Sequence, residues 1–211
     1  MAFIPTGKSR TILLRKEDIF LKRRIVIRFN APVILSFALL SLLALVLGNL
    51  TNGATTYRYF SVYRSSLSDP LTYIRFFGHV LGHAGYDHYM GNMLLLLLVG
   101  PGIEEKYGHR TTALCIAVTA LVTGLVQFIF FPATALLGAS GIVFMMIVLS
   151  SFTEMGKEGS PITLILVVVF YLGGELMDGL SALDNVSQLT HIVGGICGLV
   201  FGFTIKKRRR R

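Results

Sequence analysis

Residues 132–158 read PATALLGASGIVFMMIVLSSFTEMGKE. Within them an apolar run from Ser140 to Phe152 is bounded by Pro132 and Gly138 on one side and by the charged loop Glu154 to Glu158 on the other. A straight bilayer span needs about 20 apolar residues, with about 17 as a lower limit, so this run is too short. Gly138 makes an earlier helix start unfavourable. A helix this short begins below the membrane surface and leaves irregular backbone above it. Such backbone survives at membrane depth only where protein buries it or where it lines a watery cavity. The stretch therefore predicts a wet cavity ending near residues 138–141, inside an all-α membrane protein.

The rest of the chain supports a membrane class. Of its 211 residues, 53% are hydrophobic and 15% charged, where a soluble domain carries roughly 25% charged residues. Mean hydropathy is +0.68. Six spans are expected: Pro32 to Leu47, His88 to Ile103, Thr112 to Phe131, Ser140 to Phe152, Ile162 to Met177 and Gln188 to Ile205. The first apolar run starts near Ala31, too far in for a cleavable leader.

A net charge of +9 could point to nucleic acid, but its distribution argues otherwise. Eight basic residues fall in residues 1–30 and six form the tail from Lys206 to Arg211, fourteen of the 20 in the chain. Basic clusters beside spans mark cytoplasmic anchoring and contact with anionic lipid; no nucleic-acid partner is expected. The chain divides into a basic cytoplasmic segment (1–30), a six-helix transmembrane domain (31–205) and a basic cytoplasmic tail (206–211). Lys106, Arg110 and Lys157 lie in connections 104–111 and 153–161, whereas 132–139 and 178–187 hold no Lys or Arg. The positive-inside rule then puts both ends in the cytoplasm, and a bacterial plasma membrane fits the short chain. The connection of residues 48–87 is long and external, and a loop of this length and apolar-aromatic character is expected to be functional or partly membrane-embedded and not a linker. Cys115 and Cys197 lie in apolar stretches and read as packing residues, not a disulfide.

Ionisable residues inside spans are costly and face cavities. Ser140, at the start of the fourth span, and His191, near the start of the sixth, share a shallow external depth. This suits nucleophile and base, since an imidazole must come within about 2.6–3.2 Å of the hydroxyl whose proton it takes. Gly194, Gly198 and Gly202 recur every four residues and let two backbones approach closely; the fourth span, with Gly141, is the expected partner. His88 and Asn92, four apart, share a helix face. With the Ser140 amide at a helix N-terminus they are candidate oxyanion donors. His79 and His83 read as braces of the external loop, and Glu104 and Arg110 as caps or anchors of the second and third spans.

In combination these residues resemble the rhomboid family of intramembrane serine proteases. HAGYDHYMGN carries His83, His88 and Asn92; GASG (138–141) is similar to the family's nucleophile motif; HIVGGICG (191–198) resembles its last-span motif; and GIEEKYG (102–108) resembles the turn after the second span, with Glu104 in the acidic position. The match covers about residues 69–205. The resemblance implies six helices around a cavity open to the extracytoplasmic side. It implies a Ser140–His191 dyad with no third carboxylate, and an oxyanion site from His88, Asn92 and the Ser140 amide. Gly138, Gly141, His83, Phe144, Gly194 and Gly198 are then supporting residues. It further implies single-span or polytopic membrane proteins as substrates, entering between the second and fifth spans, and no metal or cofactor. Ile74–Arg75 stands where the family often has Trp–Arg, and Phe144 where it often has Tyr. Rival readings are a rhomboid-like pseudoprotease that only binds membrane proteins, and a transporter. H-E-x-x-H, which a membrane metalloprotease would need, is absent, and no GxGD follows Asp87 as an aspartyl enzyme would require.

Overall fold

The computed structural model describes residues 30–153 and 185–205, together with Ile162 and Leu166. The described helices are α1 (Pro32–Leu50), α2 (Ala54–Tyr59), α3 (Pro70–Gly78), α4 (Tyr86–Tyr107), α5 (His109–Phe130), α6 (Ser140–Thr153) and α7 (Asn185–Thr204), with a 3₁₀ turn at His79–Leu81. The expected fifth span apart from Ile162 and Leu166, the loop 178–187 up to Asp184, and both basic ends apart from Asn30 lie outside the described residues.

Among the described residues two helices, α1 and α5, are long and apolar enough to cross a bilayer. At 1.5 Å per residue they extend about 28 and 33 Å, against about 30 Å of hydrocarbon. α4 is 22 residues long, but Asp87, Glu104, Glu105 and Lys106 interrupt its apolar character. α6 has only 14 residues, about 21 Å, and starts at Ser140 as the sequence predicts. It is the central helix: Ile142, Met145 and Leu149 are fully buried, and α4, α5 and α7 all pack on it.

The small-residue face of α7 does meet α6. A Cβ on Gly194 would collide with the Gly141 carbonyl, one on Gly198 would lie 2.5 Å from the Met145 carbonyl oxygen, and one on Gly202 would strike the Phe152 ring. Two backbones can come this close only where side chains are missing. On the other side, α1 crosses α4 where Gly100 faces Ile34, and Tyr89 Oη donates to the Ala38 carbonyl at 3.2 Å.

Glu104 joins α4 to α5 through His109, in keeping with an anchor of the second and third spans, and it also reaches a helix that the sequence did not suggest. Its fully buried carboxylate accepts from Val33 N at 2.9 Å and Ile34 N at 3.0 Å. It thereby caps the N-terminus of α1, where Ala31 offers no side-chain cap and the first amides have no intrahelical partner. His109 Nδ1, 2.6 Å away, completes the cluster.

The long connection after α1 is folded. Arg75 is buried, donating from Nε to the Arg58 carbonyl at 2.9 Å and from Nη1 to Asp69 at 3.2 Å, and its guanidinium lies over the Tyr63 ring at 4.6 Å. Ile74 beside it is exposed. Val62 and Leu136 exchange two backbone hydrogen bonds of 2.9 Å, fastening this connection to the segment that leads into Ser140.

Candidate active site

The backbone before Ser140 is held from outside its own helix. Gly138 N donates to the His79 carbonyl at 2.9 Å, two residues beyond the Val62–Leu136 bridge. Gly138 has φ +132°, a region that side chains other than glycine's rarely occupy. A Cβ there would also stand 2.9 Å from His88 Cε1 and 3.0 Å from Nε2. Glycine is therefore needed twice, for the turn and to admit the His88 ring. Ser140 then opens α6, where amides lack intrahelical carbonyls and the helix dipole favours negative charge.

Ser140, His191, His88 and Asn92 line one cavity of about 680 Å³. Four residues after Ser140, on the same helix face, Phe144 stacks on His191 with centroids 4.4 Å apart and planes 7° from parallel. The α6–α7 contact at Gly194 and Gly141 makes this possible, because it draws the two helices together one turn from each ring. Asn92, almost buried, donates from Nδ2 to the His88 carbonyl at 2.9 Å. That bond uses one of two amide protons and fixes the side chain's direction. Ala84 N donates to His88 Nδ1 at 3.4 Å. A neutral imidazole accepting at Nδ1 carries its proton on Nε2, the atom beside Gly138.

His83 is not on the cavity wall. Its ring packs edge-on against His88 at 5.1 Å and Tyr89 at 5.5 Å, and its Nδ1 lies 3.2 Å from the Leu81 carbonyl. Burial, and secondarily the neighbouring His88, hold its pKa down to about 4, so it is a neutral support. His79 is fully buried, with Nδ1 3.1 Å from the Arg75 carbonyl and Nε2 3.2 Å from Thr123 Oγ1. Burial likewise lowers its pKa to about 4. Sequence reading gave His79 a bracing role but missed that its backbone carbonyl holds Gly138. It also missed Asp87 and Thr134 as cavity-lining residues; adjacency to His88 was the available signal for the first, and none existed for the second. Cys115 and Cys197 are buried free thiols.

The chemistry available is that of a hydroxyl, an imidazole and several N–H donors converging on one space, the set that acyl transfer uses. Among the described residues there is no group of His, Cys, Asp and Glu able to hold a metal ion.

Comparison with known proteins supports the family resemblance. The family model of the Rhomboid domain matches residues 70–208. The mouse Rhomboid-related protein 2 is 31% identical over 159 residues, covering 66% of this chain and 53% of the relative. The Caenorhabditis elegans Rhomboid-related protein 1 is 31% identical over 142 residues, 62% of this chain and 39% of the relative. The Arabidopsis thaliana Rhomboid-like protein 11, chloroplastic, is 26% identical over 139 residues, 59% and 50% respectively. The chain thus spans about half the length, or less, of these relatives. With a matched domain that runs from α3 to beyond α7 and takes in every residue of the cavity, the chain belongs to the rhomboid family of integral membrane proteins.

Proposed function

We propose that this protein is an intramembrane serine endopeptidase that cuts transmembrane segments of single-span or polytopic membrane proteins. What carries the reading is the gathering of Ser140, His191, His88 and Asn92 around one cavity, with the His191 ring held flat by Phe144. In the proposed architecture residues 31–205 form six helices around a water-filled cavity open to the extracytoplasmic side. The segments 1–30 and 206–211 lie on the cytoplasmic face, on the argument from loop charges.

In the mechanism, a substrate helix unwinds into the cavity from the α4 side. His191 takes the Ser140 proton as Oγ attacks the exposed carbonyl. The oxyanion is met by the Ser140 N–H, His88 Nε2–H and the Asn92 amide. As the C–N bond breaks, His191 gives the proton to the leaving amine. Water, deprotonated by the same imidazole, then hydrolyses the ester. No carboxylate orients His191 in this scheme; ring stacking with Phe144 does so instead, and turnover is expected to be slow.

The test is cleavage of a model single-span substrate in liposomes by wild type and by Ser140→Ala. Cleavage by wild type alone supports the assignment. Cleavage that persists in the variant overturns it. If neither cleaves, and a fluorophosphonate probe does not label Ser140, the chain is a membrane-protein binding factor instead.

A further inference from the structure

A second recess, sharing no lining residue with the Ser140 cavity, lies between α1, α5 and the end of α3. Its volume is about 450 Å³ and its lining almost wholly apolar. Val33, Phe37 and Leu40 form one wall, Ala113 and Ala117 the other, and Phe77 closes an end.

The N-termini of α1 and α5 are neighbours, because Glu104 holds both the α1 amides and His109. The recess follows the first turns of the two helices from that shared end. From Pro32 to Leu40 is about 12 Å of helix, within the half-thickness of a hydrocarbon core of about 30 Å. The recess therefore starts near that end and runs inward to Ala120, Val80 and Leu81, at the depth of the connection before α4. A helix, about 10–12 Å across, would not be contained in about 450 Å³, and a polar ligand would find only Ser36 on its walls. A run of methylenes suits both the volume and the chemistry.

The mouth supplies a charge. Arg110 is exposed and lies three and seven residues before Ala113 and Ala117, on the same helix face. A helical side chain slopes toward the N-terminus, which carries the guanidinium past the lining residues toward the helix end shared with α1 and the membrane surface. Glu104 does not oppose it, being fully buried and committed to α1 and His109.

From this we infer that the groove binds one acyl chain of an anionic phospholipid, its phosphate held by Arg110. The lipid comes from the leaflet on the side of the basic ends. The inference rests on the membrane placement of the chain and not on proteolysis.

The experiment uses the full chain in phosphatidylcholine nanodiscs doped with phosphatidylglycerol carrying a photoreactive acyl chain, or with matched photoreactive phosphatidylcholine. Labelled peptides are mapped by mass spectrometry. Phosphatidylglycerol should label residues 33–40 and 113–120 in preference to phosphatidylcholine. Arg110→Gln should lower that preference about fivefold, the value of one basic residue at an anionic surface. Ala117→Phe should remove labelling of both segments, while Leu114→Phe, on the open lipid-facing side, should leave it. Labelling unchanged in Ala117→Phe would mean annular lipid only, and crosslinks between two copies across the groove would make a second chain the occupant. Either outcome, or equal labelling by the two lipids in the wild type, overturns the proposal. Arg110→Gln alters only an exposed side chain and decides the question if Ala117→Phe does not fold.

Discussion

The His191 imidazole lies on the Phe144 ring, the two centroids 4.4 Å apart and the planes 7° from parallel. A stacked aromatic pair contributes about 0.5–1.5 kcal/mol beyond the area it buries, and here that energy is directed at the orientation of a proposed general base. Phe144→Leu, which keeps apolar volume but removes the flat face, should lower the rate of substrate cleavage about tenfold, equivalent to about 1.4 kcal/mol. Phe144→Tyr should keep most of it. The rate of fluorophosphonate labelling at Ser140 should follow the same order. Equal rates in all three proteins would show that stacking does not orient the base.

A side chain at Gly194 has nowhere to go, because the obstacle is the Gly141 backbone and not a movable side chain. Gly194→Val should separate α6 from α7, costing about 1–3 kcal/mol as overpacking does, and should lower both the melting temperature in detergent and the cleavage rate. Gly102→Ala is the matched control. No atom lies within 4 Å of a Cβ there, and alanine gains about 1 kcal/mol over glycine within a helix. A melting temperature for Gly194→Val equal to that of wild type would rule out the close contact.

These two sites were legible in the sequence because their signals are local. Pro132 and Gly138 mark where α6 can begin, and glycines at intervals of four mark a face that must meet another backbone. The order of His88, Asn92, Ser140 and His191 along the chain, with the depth each occupies in its helix, led to one cavity. The rest depends on contacts distant in sequence that leave no periodic trace. Glu104 caps a helix that begins more than 70 residues earlier. Val62 pairs with Leu136 through two main-chain bonds while their side chains join a small buried cluster with Phe76 and Phe128, and His79 holds Gly138 through its carbonyl, so no residue type announces either bond.

Removing the Glu104 carboxylate exposes that distant dependence. Glu104→Ala leaves the Val33 and Ile34 amides buried without acceptors, at about 1–3 kcal/mol for each unsatisfied group, and should lower the melting temperature by several degrees. His109→Ala, whose side chain is half exposed, should cost less. If the two variants melt alike, the carboxylate stabilises the fold through its bond with His109 and not through the cap.

Acid should weaken this fold in a range set by its buried histidines. His79 and His83 lie in the connection between α1 and α4, and burial depresses both from the ordinary 6.5 to about 4. In the unfolded chain they take up protons near 6.5, while the folded protein resists protonation until about 4. Between those values the unfolded state binds more protons, so stability rises with pH across the window. It is complete above about 6.5 and falls progressively as the pH drops toward 4. His79, the more deeply buried, can account for up to about 3 kcal/mol at 1.36 kcal/mol per unit. The melting temperature in detergent should therefore fall steadily from pH 7 to pH 4.5. In His79→Asn it should be lower at pH 7, because the Thr123 contact is lost, but should fall less steeply. Parallel pH profiles for the two proteins would mean that His79 protonates in the folded state as readily as in the unfolded chain.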